Sequence, residues 1–137
     1  MIYRVIIFLF SFLLLMGCRS KTKEKTTSKL PNSFLTFYDR FHTDSAFQMN
    51  HIVFPLSGTP GSLDTISDSK HFQWKKANWK LHRPVEIKEF KKHYAIIDST
   101  LITEYIYHPK GYGLERRFAK MNHDWYLIYY GGMSKME

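Results

Sequence analysis

Aromatic side chains recur at helical spacing in the segment from Phe34 to Phe41. They occupy positions i, i+3, i+4 and i+7 of one segment, namely Phe34, Phe37, Tyr38 and Phe41. This spacing places the rings on one face of a helix, and Asn32 and Ser33 can cap its first turn. The pattern therefore predicts an amphipathic helix with an aromatic face.

Less regular segments follow this helix. Thr43-Asp44-Ser45 offers a second cap, which predicts a short helix directly after it. Ile52 to Phe54 favours a strand that Pro55 should end. The stretch from Ser57 to Lys70 is dense in Gly, Pro, Ser and Asp and predicts a loop. Phe72 to His82 shows no pattern that assigns it to a helix or a strand.

The last third of the chain is predicted to be a sheet. Four runs rich in β-branched and aromatic residues are separated by short turn-like segments: Tyr94 to Asp98, Leu101 to His108, Leu114 to Met121 and Trp125 to Tyr130. Such runs form an antiparallel meander. Alternation places Tyr105 and Tyr107 on one face of the second run, and Glu104 and His108 on the other. Either face can line a pocket, because a one-residue shift exchanges the two.

Helices followed by a curved antiparallel sheet give an α+β fold. In such a fold the N-terminal helices pack on one face of the sheet, which buries that face. The length of 137 residues suits one folded domain, which we assign to residues 31–137.

A hydrophobic leader precedes this domain. Arg4 supplies the positive charge that is typical of the start of a signal peptide. Val5 to Met16 then forms an apolar run that is shorter than the roughly 20 residues of a membrane-spanning helix. The run ends in Leu15-Met16-Gly17-Cys18, which resembles the bacterial lipobox. Residues 1–17 are therefore expected to be a lipoprotein signal peptide, and Cys18 to carry the lipid that holds the mature chain to a membrane. An uncleaved anchor helix is the alternative.

A basic tether connects this cysteine to the domain. Residues 18–30 hold five basic side chains and one acidic one, and we expect them to be solvated and flexible. Arg4 and the tether's net +4 account for most of the formal charge of +8, which leaves +3 for residues 31–137. That balance argues against nucleic acid as a partner. Arg19 after Cys18 resembles the sorting pattern for the outer membrane, so the domain is expected to face the periplasm.

Two segments carry a more specific resemblance. Phe34 to Gly58 (FLTFYDRFHTDSAFQMNHIVFPLSG) and Arg117 to Tyr130 (RFAKMNHDWYLIYY) resemble an uncharacterised family of lipoproteins from Gram-negative gut anaerobes. Its members look like the nuclear transport factor 2-like fold, a cystatin-like α+β cone. The resemblance implies a hollow between a bent sheet and its helices, and it carries over no catalytic residue. Function must therefore be argued from the site itself.

Candidate catalytic chemistry is sparse. The seven histidines show no metal-ligand spacing and the single cysteine is assigned to the lipid, so we expect neither a metal nor a cofactor. Four side chains on or beside neighbouring strands could serve acid–base catalysis, namely His93, Asp98, Glu104 and His108. Glu104 and His108 would lie roughly 13 Å apart along one strand, so any dyad needs a cross-strand partner.

Aromatic residues of the meander suggest a ligand site. Tyr105, Tyr107 and Trp125 each combine apolar area with one polar atom, which suits a pocket wall as well as ordinary packing. We expect a ligand to contact them between the Phe34 to Phe41 helix and the sheet. The chain is accordingly expected to be a lipid-anchored binding module for a small molecule or an envelope protein rather than an enzyme. A small hydrolase or isomerase using a histidine or carboxylate is the alternative, and the aromatic sheet surface would also allow a homodimer.

Overall fold

The computed structural model describes residues 29–62, 71–84 and 88–136. The predicted signal peptide, Cys18 and nearly all of the predicted tether lie outside these residues. The described chain forms two α-helices, six strands and a short 3-10 turn at Lys76–Asn78. In chain order the helices and strands are α1 (Asn32–Thr43), α2 (Ser45–Asn50), β1 (Ile52–Thr59), β2 (Gln73–Trp74), β3 (Lys91–Asp98), β4 (Leu101–His108), β5 (Tyr112–Met121) and β6 (Asp124–Lys135). No helix of the described residues is long and apolar enough to cross a membrane.

The six strands form one sheet in the order β2-β1-β6-β5-β4-β3. Strands β3 to β6 pair in sequence as the predicted antiparallel meander, whereas β1 lies parallel to β6. The predicted α+β class is confirmed, and β4 has the predicted bounds. β6 continues past Tyr130 to Lys135, because this extension pairs with β5 on one side and with the end of β1 on the other.

The two helices begin differently. α1 starts after Pro31, whose carbonyl accepts the first helical N–H bonds, and no side chain caps it. The predicted cap at Asn32 and Ser33 is therefore wrong, since both residues already lie inside the helix. The predicted cap of α2 is confirmed: the Asp44 carboxylate accepts from the backbone N–H of Phe47 at 2.9 Å.

β1 does not end where the sequence predicts. It runs through Pro55 and includes Ser57 to Thr59, which the sequence places in the following loop. The register of its pairing with β6 shifts between Ile52 and Ser57. Proline cannot donate to a neighbouring strand, and such an irregularity is a place where a strand tolerates it.

The aromatic face of α1 packs on the sheet, as its spacing predicts. Phe34 is fully buried and meets Phe118 of β5 and Trp125 of β6 edge-on, with ring centroids 5.4 and 5.1 Å apart. Phe41 is also fully buried and packs edge-on against Phe118. This geometry is favoured by the ring quadrupoles in addition to the burial of apolar area. We call the side of the sheet that contacts α1 the inner face and the opposite side the outer face.

Candidate functional site

A row of polar side chains crosses the inner face within this aromatic core. Its members are direct cross-strand partners on four neighbouring strands: Tyr94 on β3, Glu104 on β4, Arg116 on β5 and Tyr130 on β6. Cross-strand partners of antiparallel strands share one face of the sheet. The row therefore lies beneath α1.

Glu104 and Arg116 form a buried ion pair at the centre of the row. Glu104 is 0% exposed and Arg116 is 2% exposed, and Arg116 Nε donates to Glu104 Oε2 at 2.7 Å. Glu104 Oε1 accepts from the hydroxyls of Tyr38 at 2.5 Å and Tyr94 at 3.2 Å. Burial, and then the Glu104 charge, raises the pKa of Tyr94 to about 12. Burial also raises the pKa of Tyr38 well above its usual value. Both hydroxyls therefore remain protonated donors.

Two histidines accept from the same guanidinium. Arg116 Nη1 donates to His42 Nε2 at 2.7 Å and to His82 Nδ1 at 3.4 Å. His42 Nδ1 donates in turn to the backbone carbonyl of Tyr38 at 2.8 Å. Burial, and then the Arg116 charge, lowers the pKa of His42 to about 4 and that of His82 to about 3. Both rings are neutral at neutral pH, and each buried side-chain nitrogen and oxygen of the described residues has a hydrogen-bond partner.

Gln48 of α2 holds residues 75–84 against this cluster. Its buried Nε2 donates to the carbonyls of Phe41 at 2.6 Å and His82 at 2.8 Å. Its Oε1 accepts from the backbone N–H of His82 at 2.7 Å. One side chain thus fixes the position of His82 relative to the end of α1.

An aromatic pocket opens beside the cluster, between β2, residues 75–84 and β6. It has a volume of about 360 Å³, and its walls include Trp74, Trp79, His82 and Tyr130 with Asn78 and Lys80. The His82 ring centroid lies 4.5 Å from the centroids of both Trp79 and Tyr130. The Trp74 and Tyr130 centroids are 5.2 Å apart. The volume is at the small end of the range for ligand pockets.

Both indole N–H groups of the aromatic pocket donate hydrogen bonds to other groups of the protein. Trp74 Nε1 donates to the carbonyl of Tyr130 at 2.9 Å, and Trp79 Nε1 donates to Gln48 Oε1 at 3.4 Å. Gly58 of β1 makes room for the first bond, because a Cβ at this position would overlap both the Tyr130 carbonyl and Trp74 Nε1. The two indoles are therefore fixed in orientation and offer a ligand their apolar surfaces.

The structure does not bring the predicted ligand residues together. Tyr105 and Tyr107 lie on the outer face, because they alternate with Glu104, whose side chain meets α1. With His93 they line a separate cavity of about 490 Å³. Trp125 is 2% exposed and packs inside the core. The expectation that these three residues share a wall between α1 and the sheet is wrong, whereas ligand contact with any one of them stays a prediction.

The four candidate acid–base residues do not converge either. Glu104 is committed to the ion pair, while His108 Nε2 meets Glu89 Oε2 at 3.0 Å at the far end of β4. Asp98 is exposed and accepts backbone N–H groups of the β3–β4 turn, and His93 lies on the outer face. Within residues 29–62, 71–84 and 88–136, no three His, Cys, Asp or Glu side chains are grouped as metal ligands would be.

Sequence reasoning missed Arg116 and the histidines around it. A signal for the ion pair is present in the alternation of β4 and β5. Charged residues of opposite sign stand between apolar residues at i±2, in the patterns Ile102/Glu104/Ile106 and Leu114/Arg116/Phe118. No local signal marks His82, because Gln48 and Arg116, which hold it, both lie 34 residues away in sequence.

Known structures share this architecture. A cystatin-like protein from Bacteroides caccae is 20% identical with a TM-score of 0.55, over 72% of this chain and 74% of that one. A nuclear transport factor 2-like protein from Bacteroides fragilis is 18% identical with a TM-score of 0.55, over 80% of this chain and 50% of that one. A protein from Bacteroides uniformis is 18% identical with a TM-score of 0.57, over 77% and 79%. Neither a protein-family profile nor a curated protein matches the sequence. The likeness therefore shows the fold, a cone of the nuclear transport factor 2-like and cystatin-like type.

Proposed function

We propose that this chain is a lipid-anchored module of the bacterial cell envelope whose aromatic pocket binds a small, partly apolar molecule. The lipobox-like Leu15 to Cys18 and the basic residues that follow support the anchor. Their pattern favours the outer membrane, with the domain facing the periplasm. An envelope protein as a partner and a homodimer remain further predictions.

The rigid wall of the aromatic pocket is the observation that carries the binding proposal. Trp74 and Trp79 are each held by a hydrogen bond from the indole N–H to another element. Gln48 bonds to both the backbone N–H and the backbone carbonyl of His82. Side chains that are already ordered lose little entropy when a ligand arrives. Fixed aromatic walls with few polar groups are typical of small-molecule sites.

The chemistry of the ionisable groups favours binding over a hydrolase or isomerase. A general base works best when its pKa is near the working pH, whereas the pKa of His82 is about 3. Glu104 is fully buried, and both its oxygens accept hydrogen bonds from Arg116 and the two tyrosines. These groups therefore serve better as a fixed support for the pocket than as proton carriers.

The three tryptophans of the chain provide a test of the pocket. For this test the processed, lipidated protein is labelled with 5-fluorotryptophan and embedded in phosphatidylcholine nanodiscs. Single tryptophan-to-phenylalanine substitutions assign each ¹⁹F signal to its residue. Titration with 2-naphthamide, a neutral planar probe, should shift the Trp74 and Trp79 signals saturably. The Trp125 signal should stay in place, because this ring is enclosed in the core.

Two variants separate the aromatic pocket from the outer-face cavity. Trp79→Leu should abolish saturable binding, whereas Tyr107→Leu should leave it intact because Tyr107 lines the other cavity. Binding that is lost in Tyr107→Leu and kept in Trp79→Leu would contradict the proposal, as would unchanged Trp74 and Trp79 signals up to the solubility limit of the probe.

The anchor is tested separately at Cys18. A Cys18→Ser variant expressed in a Gram-negative host should lose metabolic palmitate labelling and move from the detergent phase to the aqueous phase on phase separation. The reason is that serine cannot form the thioether that carries the lipid, and several acyl chains together give essentially permanent anchoring. Labelling that persists in the serine variant would rule out Cys18 as the lipidated residue.

A further inference from the structure

We infer that the aromatic pocket selects an anion: a small molecule with a planar, apolar body and a carboxylate or another anionic group of similar size. This inference rests on the proposed binding function and adds the sign of the ligand's charge. It follows from the polar side chains that line the pocket, and from the charges of the segment that forms one of its walls.

Hydrogen-bond donors dominate the polar part of the wall. The two indole N–H groups already donate to the Tyr130 carbonyl and to Gln48. Among the other lining side chains, Lys80 and His82 carry N–H donors, and the Asn78 amide carries both a donor and an acceptor. Lys80 is donor-only and positively charged. No carboxylate lies among the described residues that line this pocket. A ligand that supplies acceptors and negative charge is therefore better matched than one that supplies donors.

His82 adds a fixed donor. Its Nδ1 accepts from Arg116 Nη1, so the proton of the neutral ring lies on Nε2. Burial, with the Arg116 charge, lowers the pKa of His82 to about 3, which keeps the ring in this state at neutral pH. Because Nδ1 faces the guanidinium, the Nε2–H edge points away from the ion pair. The imidazole can then donate to a ligand in the pocket and cannot accept from it.

The segment that forms one wall of the aromatic pocket is positively charged. Residues 71–84 contain four exposed cations and no aspartate or glutamate, the cations being Lys75, Lys76, Lys80 and Arg83. A concentration of one sign of charge around a concave site attracts ligands of the opposite sign and speeds their association. The whole segment, and not Lys80 alone, thus favours an anion.

Three probes of one size and different charge test the inference. Titrations of 2-naphthoate, 2-naphthamide and 2-naphthylmethylammonium follow the fluorotryptophan signals of the lipidated protein in phosphatidylcholine nanodiscs. We expect the anion to bind about tenfold more tightly than the amide, as for a charge-assisted hydrogen bond at a partly solvated site, and the cation to bind more weakly than the amide. Added salt should weaken binding of the anion and leave the amide unaffected.

Lys80→Gln is the matched variant, because it removes the charge and keeps a polar side chain. It should lower the affinity for 2-naphthoate and so narrow the margin by which 2-naphthoate binds more tightly than 2-naphthamide. Lys91→Gln is the control, since Lys91 lies on β3 at the opposite edge of the sheet from β2. Equal affinity for the anion and the amide, or a preference for the cation, would overturn the inference and leave the pocket's binding function in place. Failure of all three probes to shift Trp74 and Trp79 would overturn both.

Discussion

An Arg116→Met variant is expected to lose about 3 to 5 kcal/mol of the free energy of unfolding, a large part of the stability of a domain of this size. The substitution would leave the Glu104 carboxylate with no opposite charge in a site where it is 0% exposed. It would also remove the donor for His42 Nε2, which is buried beside it. Urea denaturation of the unchanged and the variant protein measures the difference.

The neighbouring ion pair provides the control for this experiment. Arg117 meets Glu115 on the same strand but is 45% exposed, so Arg117→Met should cost less than about 1 kcal/mol. A double variant, Glu104→Met with Arg116→Met, removes both charges at once and should be more stable than Arg116→Met alone. Equal losses for Arg116→Met and Arg117→Met would mean that the buried pair does not stabilise the inner face.

Stability is expected to fall as the pH is lowered from about 6.5 to 4. The pKa values of His42 and His82 are lowered to about 4 and about 3 in the folded protein, from an ordinary value of 6.5. Above pH 6.5 both rings are neutral in the folded and the unfolded chain. Below it the unfolded chain binds protons that the folded chain does not, so unfolding becomes more favourable until the folded pKa is reached. His42 alone should contribute about 3 kcal/mol by pH 4.

Thermal unfolding followed by circular dichroism between pH 8 and pH 4 measures this dependence. A His42→Gln variant keeps a donor and an acceptor but cannot titrate in this range. Relative to its own stability at pH 8, it should lose less on acidification than the unchanged protein. An identical pH dependence in the two proteins would show that His42 is not one of the groups whose protonation drives acid unfolding.

The sheet could be predicted because its signals are local. The run from Leu101 to His108 is rich in β-branched and aromatic residues and is followed by a glycine-containing turn, and its bounds are those of β4. The pocket could not be predicted in this way. Residues 72–82 show no periodicity, because their positions depend on bonds to Gln48 and Tyr130, which are 31 and 56 residues away in sequence.

The prediction that Tyr105 and Tyr107 face α1 is wrong for a different physical reason. On β4 the tyrosines at 105 and 107 are the larger side chains, and a glutamate taken alone favours solvent. Glu104 is buried because Arg116 stands directly opposite and Tyr38 covers it from α1. Burial of a charged side chain therefore depends on the pair, and the properties of either residue alone do not indicate it.

The position of β6 has a consequence for how the protein is made. This strand is the latest in the described chain, yet it lies between β1 and β5 in the sheet. The earlier strands β1 and β2 thus have no strand partner in the meander until the ribosome has released residues 124–135. Pairings over such long sequence distances form slowly. The aromatic pocket needs Trp74 from β2 and Tyr130 from β6, so a nascent chain cannot bind a ligand there, and the site can form only after translation has passed its last strand.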